Sequence, residues 1–487
     1  MYLYAVQMAP RWAAFKRAAR QEDLFVFISR GLLYVGFFFL TLLKFKAGKS
    51  LNFSDAFFAA SFIFLILSRR PPPRAPKTPA WYVGAFIFLL SALIASTQAM
   101  VVSASLIVVI NAIFVFFVLQ YLWRQQLNNT RRMQWALGAF VLGATISALV
   151  AILQVEFGIL LPSGASAAGS IGGNWRAIGL STQPNLAGIA FALGIIFSLG
   201  LLLELRGNLR RFFIGCLVVQ LMALLLSGSI SGLLALIAGV IVFVIARGVP
   251  LKTIVLILLA VAAVYVLVFG AIDRGSHLDP ITRIQQATNP NSGTGGGTLS
   301  LREDTWKAAW TGIQQKPIWG HGLDQTTLAV YFAPYLYEYF APHNLIFLYW
   351  FGGGIFMLLA LAIMVGSSFS HVLSGRRLGV RSGNPLRDVI LGACVADLVF
   401  SMMGPELVDR WFWMPFLFAL CFREHEVPLL GVRRTTALPL AAPDAPVVAA
   451  TNGAPVGNGA PVANGAPRRV SGTVGRGRHA APQDTTS

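Results

Sequence analysis

Leu186–Glu204 reads LAGIAFALGIIFSLGLLLE, with no charge before its last residue. A helix needs about 20 mostly apolar residues to cross hydrocarbon, because every backbone N–H and C=O there must be satisfied within the segment. This run meets that requirement, and the pattern recurs along the chain. Twelve spans are expected, near 24–43, 51–68, 80–97, 100–122, 134–157, 186–204, 210–227, 229–246, 252–271, 344–366, 386–403 and 407–422. With 56% hydrophobic and only 12% charged residues in 487, the composition excludes a soluble globule. The expected fold class is an all-α membrane protein with about twelve transmembrane helices.

A net charge of +19 raises the question of nucleic acid, but the placement of the basic residues answers it differently. With the N-terminus in the cytoplasm, the inner loops collect Arg69, Arg70, Arg74 and Lys77, then Arg124, Arg131 and Arg132, then Arg206, Arg210 and Arg211, then Arg376, Arg377 and Arg381. The outer segments carry few: Lys44, Lys46, Lys49, the lone Arg176 and those of one long loop. This asymmetry orients helices in a membrane, so both termini are expected in the cytoplasm and no nucleic-acid partner is expected. The first span, with Arg30 snorkelling to the inner surface, is expected to serve as an uncleaved insertion signal.

Two regions follow. Residues 1–423 form the expected polytopic domain, and 424–487 an expected disordered cytoplasmic tail, where NGAPV occurs at Asn452–Val456 and again at Asn458–Val462 with no apolar face to bury. Cys216, Cys394 and Cys421 lie in or beside spans and suggest neither a disulfide framework nor a zinc site. No cofactor and no metal are expected.

The polar stretch 272–343, expected to be extracytoplasmic, holds Arg302, His321 and His343. Ser300 and Glu303 make a capping box, and Trp306, Ala309, Trp310 and Ile313 follow at helical spacing until Lys316 and Pro317. A short amphipathic helix lying on the membrane is expected there, with its tryptophans at headgroup level. Arg302 then falls in the first turn, where exposed N–H groups favour a bound anion. Its alternative is an exposed arginine offset by Glu303 and Asp304. Arg176, isolated in IGGNWRAIGLSTQPN, suits either a phosphate or snorkelling at a helix end. His343, in APHN, is either a base available near neutral pH or an interfacial histidine.

Ionisable groups are costly near a bilayer and are expected to pair or to face a watery cavity. In GPELVDRWFWMP, the two readings are an Asp409–Arg410 ion pair and a cluster in which Glu406 and Asp409 line the acceptor side of a site. Asp397 is expected to face the bundle interior.

The order RAIGLSTQPN, SGSISG, REDTWKAAWTGIQQKPIWGHG, HN and the glycines at 352–354 resembles the O-antigen ligase and polymerase superfamily, over roughly residues 176–366. The resemblance implies a GT-C-like helical membrane fold and a metal-independent, inverting glycosyltransferase of the bacterial inner membrane. Such an enzyme moves a glycan from a polyprenyl-diphosphate carrier to an acceptor hydroxyl on the outer face, with glycan, lipid or protein as acceptor. It also implies diphosphate-binding roles for Arg176 and Arg302 and a catalytic role for His343. Ile230 stands where many relatives have arginine, so Ser229 and Ser231 are not expected to bind ligand. A glycan polymerase of the same superfamily and a polysaccharide exporter or flippase are the alternative functions.

Overall fold

A computed structural model describes residues 24–42, 52–68, 78–157, 176–248, 259, 263, 298–324, 327, 342–374, 384–404 and 408–422. One compact unit comprises Met1–Pro428; the second, Leu429–Ser487, lies wholly outside the described residues, as does the expected tail disorder.

The described elements are helical: α1 (Leu24–Phe39), α2 (Phe53–Ile66), α3 (Pro79–Ser96), α4 (Val102–Gln126), α5 (Thr130–Phe157), α6 (Pro184–Glu204), α7 (Gly207–Leu226), α8 (Ile230–Arg247), α9 (Thr298–Gln315), α10 (Leu345–Leu373), α11 (Pro385–Ser401) and α12 (Arg410–Ala419). Seven of them, α3 to α8 and α10, are long and apolar enough to cross a membrane, which makes this a multi-pass membrane protein. The expected count of twelve is not carried by the remaining helices. The ten residues of α12 rise only about 15 Å, half the hydrocarbon thickness, and α1 and α2 have 16 and 14 residues. The span expected at 252–271 lies outside the described residues apart from Leu259 and Ala263.

Close helix approaches fix the direction in which the helices run. Gly239 of α8 abuts the backbone of Gly392 in α11, and Arg247 at the end of α8 pairs with Asp388 at the start of α11 (3.6 Å), so these two helices are antiparallel. Gly188 of α6 meets Gly232 of α8, and Ile196 meets Gly239 further along, so α6 and α8 are parallel. Small residues at such crossings let two backbones approach where lipid offers no hydrophobic drive for association. The starts of α6 and α8 therefore lie at the same end of the bundle as the end of α11.

Elsewhere aromatic rings fill the interior, with Phe37, Phe58 and Trp123 in mutual contact, Phe418 against Phe37 and Trp123, and Trp81 edge-on to Trp413. Arg124, expected in a solvated inner loop, is instead 5% exposed in the last turn of α4 and donates to Thr78 Oγ1 at 2.9 Å. Asp397 is fully buried and faces the bundle interior, as its isolation suggested.

The expected Asp409–Arg410 pair is not formed. Arg410 Nε reaches Asp55 Oδ1 of α2 at 2.8 Å, and its Nη2 donates to Asn111 of α4 at 3.0 Å. The reason is burial: the Arg410 side chain is 6% exposed, and a desolvated guanidinium takes the acid enclosed with it. Asp409 instead precedes α12 in an extended conformation and makes no cap bond.

Candidate functional site

His343 is held at a chain junction. Pro342 precedes it, and Asn344 caps α10 by accepting from Ile346 N and Phe347 N at 2.9 and 3.3 Å. The imidazole hydrogen-bonds with the backbone of Met403, just past the end of α11, and lies within electrostatic reach of Arg302. Burial first, and the Arg302 charge second, bring its pKa down from 6.5 to about 4, with the Met403 bond opposing them. His343 is therefore a neutral imidazole throughout the physiological range.

Arg302 is delivered by α9. This helix runs beside the first turns of α10 in the same direction, with Trp306 against Phe347, Trp310 against Trp350 and Gly312 against Phe351. Three expectations change here. The helix begins at Thr298, so Arg302 lies one turn inside it rather than among the first exposed N–H groups. The stripe is divided, because Ala309 and Ile313 are buried in the protein while Trp310 stays 44% exposed; packing against α10 claims the face expected to meet lipid. Glu303 and Asp304 do not offset Arg302, since both are exposed and engage Lys307 at 3.0 and 3.7 Å, the i+4 and i+3 positions. Among the described residues, Arg302 has no carboxylate partner, and its burial lowers its pKa. A partly desolvated cation beside a neutral imidazole favours an anion.

What seats α9 is a break in α10. Gly354 has φ 75°, in the left-handed region, and a Cβ there would collide with the Ile318 carbonyl. The backbone groups freed at the break are taken by the segment after α9: His321 N donates to Phe351 O at 2.9 Å, Gly322 N to Gly352 O at 3.0 Å, and Ile355 N to Pro317 O at 3.0 Å. Irregular backbone at membrane depth needs such partners. His321 belongs to this interlock. It is 3% exposed, its Nε2 lies 2.7 Å from Gly312 O, and its ring stacks on Phe351.

Arg176 begins a segment pinned to two helices. Gln154 of α5 accepts from Gly179 N (2.8 Å), Leu180 N donates to Ser147 Oγ (3.0 Å), and Ala177 N donates to Leu226 O (3.3 Å). The guanidinium donates through Nε to Ser227 O at 2.8 Å, and through Nη2 to Gly228 O and Asn185 Oδ1, both at 3.1 Å. The turn at Ser227–Ser229 thus holds Arg176. Asn185, Ser227 and Gly228 were missed as site residues because carbonyl acceptors carry no sequence signature; the N-cap serine before α8, Ser229, was the available signal.

These pieces share one end of the bundle. Asn185 and Ser229 stand at the starts of α6 and α8, and Met403, which bonds His343, follows the end of α11. The helix directions place all of them on the same side. Arg302 and His343 are brought within electrostatic reach of each other, and Arg176 is anchored at that same end. Glu406 lies outside the described residues. Among the described residues, no three of histidine, cysteine, aspartate and glutamate gather to hold a metal ion.

The fold defines a multi-pass membrane protein, with Arg176, Arg302 and His343 towards one end of its helices. Residues 215–362 match the family model described as O-antigen ligase (Wzy_C), so the chain carries an O-antigen ligase family domain there. The matched stretch includes Arg302, His343 and the Gly354 break, and Arg176 lies upstream of it. No curated protein matches the chain.

Proposed function

We propose that this protein is a glycosyltransferase of the O-antigen ligase or polymerase kind, moving a glycan from a polyprenyl-diphosphate carrier to an acceptor hydroxyl at the outer face of the bacterial inner membrane. The observation that carries this reading is the placement of Arg302, a cation without a carboxylate partner among the described residues, within electrostatic reach of the neutral imidazole of His343.

A glycosyl diphosphate already has a good leaving group, so the reaction needs cations where negative charge develops on the departing oxygens. Arg302 and Arg176 fill that role, with no metal ion assigned to the step. The acceptor hydroxyl attacks the anomeric carbon from the side opposite the diphosphate while His343 takes its proton, a contribution of about 100- to 10,000-fold. One displacement breaks the bond from the anomeric carbon to the diphosphate oxygen, forms the new glycosidic bond and inverts the centre. Glu406 and Asp409 are assigned to the acceptor side; Asp409, released from Arg410 by the Asp55 pair, is available for that task.

The test is reconstitution of purified protein with a lipid-diphosphate glycan and an acceptor. A new glycosidic bond formed without ATP is expected. Glycan that crosses the bilayer unchanged, or no reaction with any acceptor class, would overturn the reading. Asp409→Ala, inserted normally, is expected to impair transfer; unchanged transfer would remove it from the site.

A further inference from the structure

We propose that Arg124, at the end of the bundle opposite His343, belongs to a second anion site, one that holds the phosphate of an anionic phospholipid. The proposal is independent of the donor-site reading, because none of its residues belongs to that site.

Helix directions separate the two ends. Gly84 of α3 meets Ala360 and Met364 of α10, while Ser91, further along α3, donates to Gly353 O, so α3 and α10 are antiparallel. The start of α3 therefore lies away from the His343 end of α10. α4 runs back along α3, with Ser105 against Ser96 at one end and Arg124 against Thr78 at the other.

Helix electrostatics make an arginine an unexpected neighbour there. Thr78 is the N-cap of α3, an 18-residue helix whose dipole is positive at this end and disfavours a cation. The cap oxygen does not serve its own helix: Thr78 Oγ1 accepts from Arg124 Nη1 at 2.9 Å and from Gln120 Nε2 at 3.1 Å. Arg124 Nη1 also lies 3.5 Å from the Tyr82 hydroxyl, which itself donates to Gln120 Oε1 at 2.8 Å. The buried Nε of Arg124 has no hydrogen-bond acceptor among the described residues.

A counter-charge is missing from the neighbourhood as well. Among the described residues, the electrostatic partners of Arg124 are Tyr82 and Cys421, and neither is a carboxylate. No aspartate or glutamate occurs between Asp55 and Glu156, a stretch with seven basic residues from Arg69 to Arg132. Burying a cation is costly without a partner, and an uncapped helix start is a natural anion site. One anion placed between the start of α3 and Arg124 answers both needs.

The surroundings favour a lipid over a free ion. Arg124 and Thr78 stand at the ends of two helices long enough to span a membrane, where headgroups lie. Pro79, Val83, Phe86 and Leu90, spaced along one face of α3, are all exposed and begin one residue after Thr78. An acyl chain laid along that stripe brings its phosphate to the start of the helix. Basic pockets between transmembrane helices recognise anionic headgroups in this way.

The test uses the full-length protein in detergent, with phosphatidylglycerol, phosphatidylcholine and inorganic phosphate as probes, and reads unfolding temperature and lipid retained in native mass spectrometry. Phosphatidylglycerol is expected to raise the wild-type unfolding temperature and to stay bound, and the other two probes to do neither. Arg124→Gln is expected to weaken phosphatidylglycerol binding by about tenfold or more, and the exposed Arg131→Gln by about fivefold or less. Should Arg124→Gln not insert, Arg124→Lys, which keeps the charge but loses the planar fork, is expected to bind about threefold more weakly or worse. No wild-type response to phosphatidylglycerol, or equal losses at Arg124 and Arg131, overturns the site. Equal stabilisation by inorganic phosphate overturns the lipid as its occupant.

Discussion

The His343 imidazole lies within electrostatic reach of the Arg302 guanidinium, and burial first and that charge second hold its pKa at about 4. The two residues come from different elements, α9 and the junction before α10, and α9 is held beside α10 because the Gly354 break lets the segment after α9 dock there. A base that is already deprotonated near neutral pH needs no titration step before it works; burial is the main cause, and the cation that adds to it is the one assigned to the diphosphate.

The pH profile follows from that shift. For the free enzyme, kcat/KM for transfer is expected to fall on the acid side with an apparent pKa near 4 rather than 6.5. Arg302→Gln is expected to move that limb upward but short of 6.5, since burial, the larger cause, remains. For stability, the unfolded chain binds more protons at this position between about 4 and 6.5, so the contribution of His343 is lost as pH falls through that window and is constant above it. An acid limb at 6.5 in the wild-type protein would contradict both the burial of His343 and its coupling to Arg302.

Turnover and binding are expected to separate. His343→Ala should lower turnover by roughly 100- to 10,000-fold with donor binding retained. Arg302→Ala should weaken donor binding itself, and Arg302→Lys should restore it only in part, because an ammonium lacks the planar fork that matches a phosphate. Equilibrium binding and single-turnover transfer distinguish the two effects; full activity in either alanine variant removes that residue from the mechanism.

Gly354→Ala is expected to lower stability by more than about 1 kcal/mol, since alanine is strained at positive φ and its Cβ would meet the Ile318 carbonyl. Activity should fall with it, because α9, which carries Arg302, is seated on α10 by that break. Thermal unfolding in detergent measures this, and an unchanged unfolding temperature would show that the interlock has room to relax.

The Asp55–Arg410 pair, with side chains 4% and 6% exposed, should behave as a buried ion pair. Asp55→Ala or Arg410→Ala alone is expected to cost about 3–5 kcal/mol by stranding the other charge, whereas replacing both with apolar residues should cost much less than the sum. A double-mutant cycle read by unfolding in detergent checks the coupling; simple additivity would mean that the pair does not interact.

Helix character was readable from the chain because it is a local property. Runs such as Leu186–Glu204 need no partner to declare themselves, and the described helices fall on the expected segments. Residue types were also legible: an isolated Arg176, an arginine within an amphipathic helix and a histidine after a proline each pointed to chemistry. Partners were not. Adjacency suggested Asp409 for Arg410, yet the buried guanidinium found Asp55 on another helix; Glu303 and Asp304 seemed to offset Arg302, yet helical spacing gave them to Lys307. His321 looked like chemistry and serves packing.

The amino-acid order alone established a helical membrane protein with basic and imidazole groups set apart from its apolar runs, because hydrophobic length and charge are properties of each segment by itself. Only the tertiary structure decided which of those groups meet. That depends on helix direction, on a glycine break in α10 and on where one backbone closes against another, and these are set by contacts between residues far apart in the chain.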